Sequence, residues 1–360
     1  MNFTFPKWYD LHVHFRQGPS VKDFIQAHLD MGCAGALAMP NTKPPLSKVL
    51  GENSESAWTI ESYRNMLAEN GADQFIDFIV PLYLTKETTP QMIEEGAQSG
   101  VLRSCKYYPP HGTTNADFGG PLEHYFDNGV FQAMEEHGVI LNIHGEEHGI
   151  APKNFFDKET NAEDTFYKTR LPKILEKFPK LRIVCEHITT KTAANFVQSA
   201  PQNVVATITP QHLLYTIGDL LQGLKYHLYC LPLLKFEDDH QALLECATSD
   251  QNQKFFAGTD SAPHYHKVTE CGCAAGCFTG GIAPQLYAQA FNLNEENQKA
   301  FEQFLCLNGP EFYGLEISKE TFTLSKTEQK VEVLKTNEGE FIPLPIGIGL
   351  ETIPWSISLA

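Results

Sequence analysis

The 360-residue sequence has no long hydrophobic run, and this absence excludes several classes of protein. The most apolar stretch, near the C-terminus, is broken by Pro343, Gly347 and Pro354, so we expect no membrane span. The N-terminus lacks a basic region followed by an apolar core, so we expect no signal peptide. Basic residues are also few, because 27 Lys and Arg stand against 44 Asp and Glu, a net charge of −17. This balance disfavours partnership with nucleic acid or with an anionic membrane surface.

The remaining composition is that of a folded, globular chain. Hydrophobic residues make up 42% of the sequence, which excludes intrinsic disorder. The nine cysteines are odd in number and scattered, so we interpret them as free thiols in a reducing compartment. Together with the missing signal peptide, this favours a cytoplasmic location.

Short runs of β-branched and aromatic residues alternate with longer helix-like segments. Helices are predicted at residues 21–31, 57–69, 90–99, 131–137, 165–177, 192–199 and 240–249. Strands are predicted at residues 9–14, 34–39, 75–84, 102–107, 139–144, 181–187, 204–209 and 255–260. Eight βα units predict an α/β fold, specifically a (β/α)8 TIM barrel. A doubly wound sheet is the alternative, but no GxGxxG motif follows the first strand.

The pattern changes after Leu315. Residues 321–325 and 330–334 alternate like strands, and the rest is punctuated by proline and glycine. This segment is too short to bury a core of its own. We therefore expect a barrel over residues 1–315 and a C-terminal extension over residues 316–360 that packs on it.

Residues with metal-ligand chemistry recur where the predicted strands end. His12 and His14 lie two apart on a strand, so both imidazoles project from one face. His144, His187 and Asp260 each end a later strand, and the C-terminal strand ends of a barrel meet at one mouth. Each residue alone has an ordinary explanation, as a core histidine or, for Asp260, a helix N-cap. Four imidazoles and a carboxylate at one mouth instead favour zinc.

Two further residues near these strand ends have open interpretations. Lys106 ends an apolar strand, where a buried amine is costly unless it is neutralised or reaches the rim. Its functional alternative is a carbamate, an anionic donor that bridges two metals. Asp10 either orients an imidazole from behind or is only a carboxylate in the strand.

A series of short motifs resembles those of one enzyme family. Together they look like the motifs of dihydroorotases, in the shorter, bacterial-type branch of the amidohydrolase superfamily. They occur in order between about Trp8 and Leu315, as DLHVHFR at 10–16, MPN at 39–41, CKYYP at 105–109, IHGE at 143–146, EHITTK at 186–191, TITPQH at 207–212 and GTDSAPH at 258–264.

The resemblance implies a TIM barrel that holds two zinc ions. One ion would be bound by His12, His14 and Asp260, and the other by His144 and His187. Carboxylated Lys106 and a hydroxide would bridge them. The implied reaction is the reversible cyclisation of N-carbamoyl-L-aspartate to L-dihydroorotate in pyrimidine biosynthesis, with Asp260 as the proton shuttle. The resemblance also suggests a homodimer.

The resemblance further implies the residues that bind the substrate. Arg16, Asn41 and His264 would hold its carboxylate. Taken by itself, Arg16 is also compatible with a surface salt bridge, and Asn41 with a turn before residues 42–44. Thr113 and Thr114 would belong to a loop that covers the site. The full implied set of substrate contacts is His14, Arg16, Asn41, Thr113, Thr114, His144, Leu231, His264 and Ala275.

The cysteine-rich segment departs from the family pattern. CGCAAGC at 271–277 has one alanine more than expected, and the spacer from His264 to Cys271 is shorter by about two residues. Either Ala274 or Ala275 therefore meets the substrate, and we favour Ala275 because it precedes the glycine. A third metal on these cysteines is a weaker alternative, because a fourth ligand is missing.

Other functions compete with the dihydroorotase interpretation. The nearest is another cyclic-amide hydrolase on the same scaffold, against which the carboxylate clamp argues. A non-catalytic binding barrel is disfavoured because no expected metal ligand is missing. A redox or iron–sulfur protein would rest on the cysteine-rich segment alone.

Overall fold

The computed structural model describes residues 1–270 and 272–359, and its main feature is a set of short parallel strands that pair in chain order. Nearly all their residues are buried, as expected for parallel strands covered by helices. The strands are β1 (Trp8–Val13), β2 (Cys33–Ala38), β3 in two pieces (Asp77–Ile79 and Leu82–Tyr83), β4 (Ser104–Tyr107), β5 (Ile140–His144), β6 (Ile183–Glu186), β7 (Val204–Ile208) and β8 (Phe255–Ala257).

Backbone hydrogen bonds join the segment after β8 to β1 and close the sheet. The amide of Asp260 donates to the carbonyl of His12 at 2.8 Å, and the amide of His14 donates to the carbonyl of Ser261 at 3.0 Å. Val13 and Ser261 also form a parallel bridge. The predicted (β/α)8 TIM barrel is therefore confirmed, and all C-terminal strand ends meet at one mouth.

Helices cover the outside of the barrel, and threonines start several of them. The side chains of Thr59, Thr89 and Thr190 each accept a hydrogen bond from the amide three residues on, which satisfies a free donor of the first turn. Within the described ranges, no helix has both the length and the apolar character of a membrane span. The α-helices are Val21–Asp30, Ile60–Glu69, Pro90–Gln98, His124–Asp127, Val130–His137, Pro152–Phe155, Ala162–Thr169, Leu171–Lys177, Lys191–Ser199, Pro210–Leu214, Ile217–Leu221, Glu237–Thr248, Ala283–Ala290, Gln298–Glu302, Asn308–Tyr313 and Leu344–Gly347, with a π-helical turn at Gln303–Leu307.

Prolines account for two differences from the predicted elements. The strand predicted at 75–84 is interrupted between its two pieces, where Pro81 has no amide to donate to a neighbouring strand. The helix predicted at 165–177 is two helices, and Pro172 lies in the first turn of the second. A proline is tolerated there but disrupts a helix interior, so the chain restarts the helix at Leu171.

The chain termini form a separate three-stranded antiparallel sheet. Thr321–Ser325 lies between Asn2–Pro6 and Ser356–Leu359. The segment expected as one strand at 330–334 is divided, because its two ends pair with different partners. The remaining short pairs are Leu46–Lys48 with Trp58–Thr59, Val268–Thr269 with Gly272–Cys273, Gln329–Lys330 with Thr352–Ile353, and Leu334–Thr336 with Gly339–Phe341.

Asp10 supports the junction between β1 and β8. Its carboxylate accepts hydrogen bonds from the amide of Thr259 at 2.9 Å, from the Thr259 hydroxyl at 2.6 Å and from the backbone amide of His12 at 3.3 Å. It also contacts Nε2 of His28 at 3.1 Å. Asp10 is therefore a structural carboxylate, and its side chain does not orient the His12 imidazole.

We expect Asp10→Ala to lower the free energy of unfolding of the metal-free protein by about 2–4 kcal/mol, because it leaves several buried donors without an acceptor. Denaturant unfolding monitored by circular dichroism measures this. Asp250→Ala, which removes an exposed carboxylate, is the control and should change stability little. A loss below about 0.5 kcal/mol for Asp10→Ala would contradict the assignment.

Candidate active site

The ligand-type residues expected at the barrel mouth do lie at strand ends, and all are buried. None is more than 8% exposed to solvent. Because a buried ionisable group needs a partner or a ligand, their concentration marks this mouth as the functional end of the barrel. They are His12 in β1, His14 directly after it, Lys106 in β4, His144 at the end of β5, His187 directly after β6 and Asp260 after β8.

Three of these side chains converge on one point. His12, His14 and Asp260 each offer a ligand atom, and these atoms all lie within 4.8 Å of one another. Oδ1 of Asp260 is 2.9 Å from Nε2 of His14 and 3.4 Å from Nε2 of His12. Two imidazoles and a carboxylate at this spacing form a donor set that fits a divalent transition metal.

A second pair of imidazoles adjoins the first group. The ring of His187 lies 4.8 Å from that of His12 and 4.7 Å from that of His144, measured between centroids. Burial lowers the pKa of His187 well below its usual value, so the ring is neutral, as a metal ligand must be. Its Nδ1 is buried and has no hydrogen-bond partner in the described structure.

Lys106 points into the same region with its amine unsatisfied. The residue is fully buried, and among the described residues Nζ has no hydrogen-bond partner. Burial lowers its pKa to about 8, although Glu186 and Asp260 partly oppose this. Lys106 therefore does not reach the rim, and its amine is less costly to deprotonate than that of an ordinary lysine.

Glu186 holds the His12 imidazole from behind. Its Oε2 lies 2.7 Å from Nδ1 of His12, which leaves Nε2 for the cluster. The same carboxylate accepts hydrogen bonds from the Thr207 hydroxyl at 2.7 Å and from Nδ2 of Asn142 at 2.6 Å. Burial opposes ionisation of Glu186, but His12 and Lys106 outweigh it, so its pKa is lowered.

The same arrangement recurs at two other imidazoles. Oδ1 of Asn41 lies 2.9 Å from Nδ1 of His14, and Oε2 of Glu146 lies 2.8 Å from Nε2 of His144. Each contact occupies one ring nitrogen and leaves the other available to bind a metal, which fixes both tautomer and orientation. Sequence analysis missed the roles of Glu186 and Glu146. The available signal was a carboxylate in or beside an apolar strand end, which requires a buried partner.

A small cavity opens above the cluster, and it gathers most of the expected substrate residues. Tyr108 also lines it, a residue that sequence analysis did not single out. The lining comprises His12, His14, Arg16, Asn41, Tyr108, Thr113, Thr114, His144, His187, Leu231, Asp260, Ala262, Ala275 and Gly276.

His264 is not part of the lining but lies against it. Its Nε2 is 2.7 Å from the carbonyl oxygen of Ala275 and 3.1 Å from Nη2 of Arg16. Burial lowers the pKa of His264 to about 4, so the ring is neutral near pH 7. In this structure its side chain lies against both Arg16 and the Ala275 loop at the edge of the cavity.

The loop after β4 covers the cavity through contacts with Asn41. Nδ2 of Asn41 donates to the carbonyl of Thr114 at 3.0 Å, and Nδ2 of Asn115 donates to the carbonyl of Asn41 at 2.9 Å. Asn41 thus bonds at once to the loop and to His14. Asn41 is therefore more than a turn residue, because its side chain connects the loop over the cavity to the histidine cluster below it.

In the cysteine-rich segment, the two alanines face different ways. Ala275 lines the cavity, whereas the carbonyl of Ala274 accepts a hydrogen bond from Nζ of Lys267 at 2.6 Å. Cys271, one of the three cysteines considered for a third metal, lies outside the described residues. The described cysteines, Cys273 and Cys277 among them, are all free.

A TIM barrel whose mouth gathers four histidines, a lysine and an aspartate belongs to the amidohydrolase class. D-hydantoinase from Thermus sp. shares this fold, with a TM-score of 0.74 at 14% identity over 100% of this chain and 83% of that structure. Closer relatives define the family. A dihydroorotase of Vibrio campbellii is 42% identical over 354 residues, or 97% of each chain. The structure of Saccharomyces cerevisiae dihydroorotase in complex with 5-fluoroorotic acid has a TM-score of 0.85 at 28% identity, covering 99% of this chain and 98% of that one.

The chain belongs to the dihydroorotase family, and it is a cyclic amidohydrolase of pyrimidine biosynthesis. No family model matches the sequence. The alternative of another cyclic-amide hydrolase is set aside, because curated dihydroorotases are 40–42% identical to this chain, whereas the hydantoinase structures are only 12–14% identical and share the fold alone.

We expect Glu186→Gln to weaken metal binding by about 10–100-fold, because the amide holds the His12 tautomer less firmly and removes a compensating negative charge. Competition with a chelator of known affinity measures this. Glu296→Gln, on an exposed side chain, is the control. Equal metal affinity of the Glu186 variant and the wild type would remove Glu186 from the support of the site.

Proposed function

We propose that this site binds two zinc ions and interconverts N-carbamoyl-L-aspartate and L-dihydroorotate. The observation that carries the proposal is the convergence of His12, His14 and Asp260 beside a second imidazole pair, beneath a small cavity, in a chain of the dihydroorotase family. Small-molecule chemistry suits the site, because the cavity is small and its polar groups point inward.

The donors divide naturally between two ions. His12, His14 and Asp260 would hold one, and His144 and His187 would hold the other. Lys106 lies among them with an unpartnered amine whose pKa of about 8 leaves an appreciable neutral fraction at neutral pH. A neutral amine adds to the carbon of carbon dioxide and loses one proton, which gives an anionic carbamate. Such a group at Lys106 would bridge the ions and complete both donor sets.

When bound, the zinc ions would lower the pKa of a water molecule and polarise the substrate carbonyl. Asp260 moves the proton. Burial opposes its ionisation, but the adjacent His14 and His12 imidazoles outweigh this and lower its pKa to about 2. In hydrolysis, water adds to the ring carbonyl carbon, Asp260 takes the released proton, and the same carboxyl group protonates the ring nitrogen as the carbon–nitrogen bond breaks. Cyclisation follows the reverse path.

Arg16, Asn41 and His264 would bind the substrate carboxylate. Arg16 is the main charge, since His264 is neutral and Asn41 supplies an amide. A guanidinium suits this role because its forked donors match a carboxylate. His14, His144, Thr113, Thr114, Leu231 and Ala275 would complete the contacts with the ring.

The proposal extends to three properties of the whole chain. Residues 1–315 would form the barrel unit and residues 316–360 the extension. The enzyme would be a homodimer, and it would be cytoplasmic, which the free state of every described cysteine supports.

Metal analysis combined with an assay tests the proposal. Protein purified without chelators should contain two zinc ions per chain and hydrolyse L-dihydroorotate. Lys106→Ala should lose most activity, because it removes the bridging donor, and short-chain carboxylic acids should restore part of it. Lys319→Ala, which alters an exposed lysine, is the matched control. Only trace metal in an active wild-type enzyme would refute the two-zinc assignment.

We expect Arg16→Lys to reduce kcat/KM for dihydroorotate, and the reduction should correspond to a loss of about 1–3 kcal/mol of transition-state stabilisation. Lysine keeps the positive charge but lacks the forked pair of donors of the guanidinium. Steady-state kinetics measure this. Arg103→Lys is the control, since Arg103 pairs with Asp77 through a similar fork away from the cavity. An unchanged kcat/KM in the Arg16 variant would exclude Arg16 from the clamp.

A further inference from the structure

Lys267 is a buried lysine whose ammonium binds only backbone carbonyls. The residue is 7% exposed, and Nζ lies 2.7 Å from the carbonyl oxygen of Tyr229, 2.6 Å from that of Ala274 and 2.5 Å from that of Gly276. An ammonium has three donors, so these contacts satisfy it fully. Within the described residues, no carboxylate forms an ion pair with it. Lys267 is therefore a buried ammonium that is fully hydrogen-bonded to the backbone, and it is not part of a surface salt bridge.

The three carbonyls come from two separate loops that both reach the cavity. Tyr229 lies two residues before Leu231, in the segment between helices Ile217–Leu221 and Glu237–Thr248, whereas Ala274 and Gly276 flank Ala275 in the cysteine-rich loop. Leu231 and Ala275 both line the cavity. The loops are also joined by a hydrogen bond from the amide of Gly276 to the carbonyl of Tyr229 at 2.9 Å. Lys267 thus fixes the distance between two neighbouring parts of the cavity wall.

The conformation of the cysteine-rich loop leaves it little freedom to adapt. Gly276 has φ +142°, and a Cβ at this position would lie 2.6 Å from the carbonyl oxygen of Ala262. The carbonyl of Ala275 is engaged by His264 at 2.7 Å. In contrast to Ala274 and Gly276, Ala275 has an amide that donates no hydrogen bond within the described part of the chain. Among the described residues, the Ala275 amide is therefore a donor without a partner, and it belongs to a residue that lines the cavity.

We propose that Lys267 is a positioning residue for substrate binding, which orients and polarises the amide of Ala275. The inference rests on the proposed function, in which Ala275 contacts the substrate ring. The carbonyl of Ala274 and the amide of Ala275 belong to one peptide group. A cation on that carbonyl withdraws electron density from the amide and strengthens it as a donor, as hydrogen bonds in a chain polarise one another.

The proposal predicts a specific kinetic pattern. Lys267→Met keeps the length of the side chain but removes the charge and all three donors. KM for L-dihydroorotate should rise about tenfold while kcat changes less than threefold, because the loss affects binding and not the proton transfer. Zinc content should stay at the wild-type value, because Lys267 contacts no metal ligand. Lys267→Arg keeps a charged donor, so its KM should rise less than that of Lys267→Met.

Inhibition by succinate separates positioning from general damage to the site. Succinate has carboxylates but no ring amide, so its inhibition constant against Lys267→Met should equal the wild-type value. Weaker succinate inhibition in step with the rise in KM would overturn the proposal, because the whole site would then be perturbed.

The controls distinguish failure of this inference from failure of the proposed function. Wild type and Lys319→Met are assayed in parallel, and absence of dihydroorotate hydrolysis in both would refute the proposed function itself. Hydrolysis by the wild type with an unchanged KM in Lys267→Met would refute only the role of Lys267. If Lys267→Met does not fold, Lys267→Arg decides the question, since an unchanged KM in that variant contradicts the role and a raised KM at constant kcat supports it.

Discussion

The closure of β8 onto β1 is the constraint on which the rest of the site depends. It brings Asp260 to 3.4 Å from His12, although the two residues come from opposite ends of the barrel sequence. Asp10 supports this junction through Thr259, directly before Asp260. The amide of Asp260 also donates a hydrogen bond to the carbonyl of His12. The backbone segments that close the barrel are therefore the same ones that carry these two side chains. A shift of β8 along β1 would separate the donors and the fold would lose its first metal position.

Burial of so many ionisable groups at one mouth requires local compensation. Glu186 and Glu146 place negative charge directly behind His12 and His144, which suits imidazoles that must donate electrons to a cation. The chain as a whole carries a net charge of −17 and yet its family acts on an anionic substrate. Attraction must therefore come from short-range groups at the cavity. Arg16 supplies it from a partly buried position, where a charge acts more strongly than on the open surface.

Sequence analysis predicted the barrel, and it placed the candidate ligand residues at strand ends, where the structure has them, because both depend on local patterns. Most of the predicted strands end beside a polar residue that is visible in the sequence, and parallel closure brings those ends together. The contacts behind the ligands were not predictable in the same way. Asp10 and Glu186 are both carboxylates in β strands, and only the packed structure shows that Asp10 contacts Thr259 while Glu186 contacts His12. Which partner an interior carboxylate finds depends on register across the barrel, which single-strand periodicity does not contain.

The cysteine-rich loop shows how a binding surface can tolerate a change in loop length. Relative to the family pattern, this segment has an additional alanine and a shorter spacer before it. In the structure, both backbone groups of Ala274 bond to Lys267, its amide to the Lys267 carbonyl at 2.8 Å and its carbonyl to Nζ. Lys267 thus holds Ala274 through both backbone groups, whereas Ala275 and Gly276 line the cavity. Because His264 and Lys267 hold the backbone of residues 274–276, the position that faces the cavity is set by these contacts and not by the number of residues that precede it in the loop.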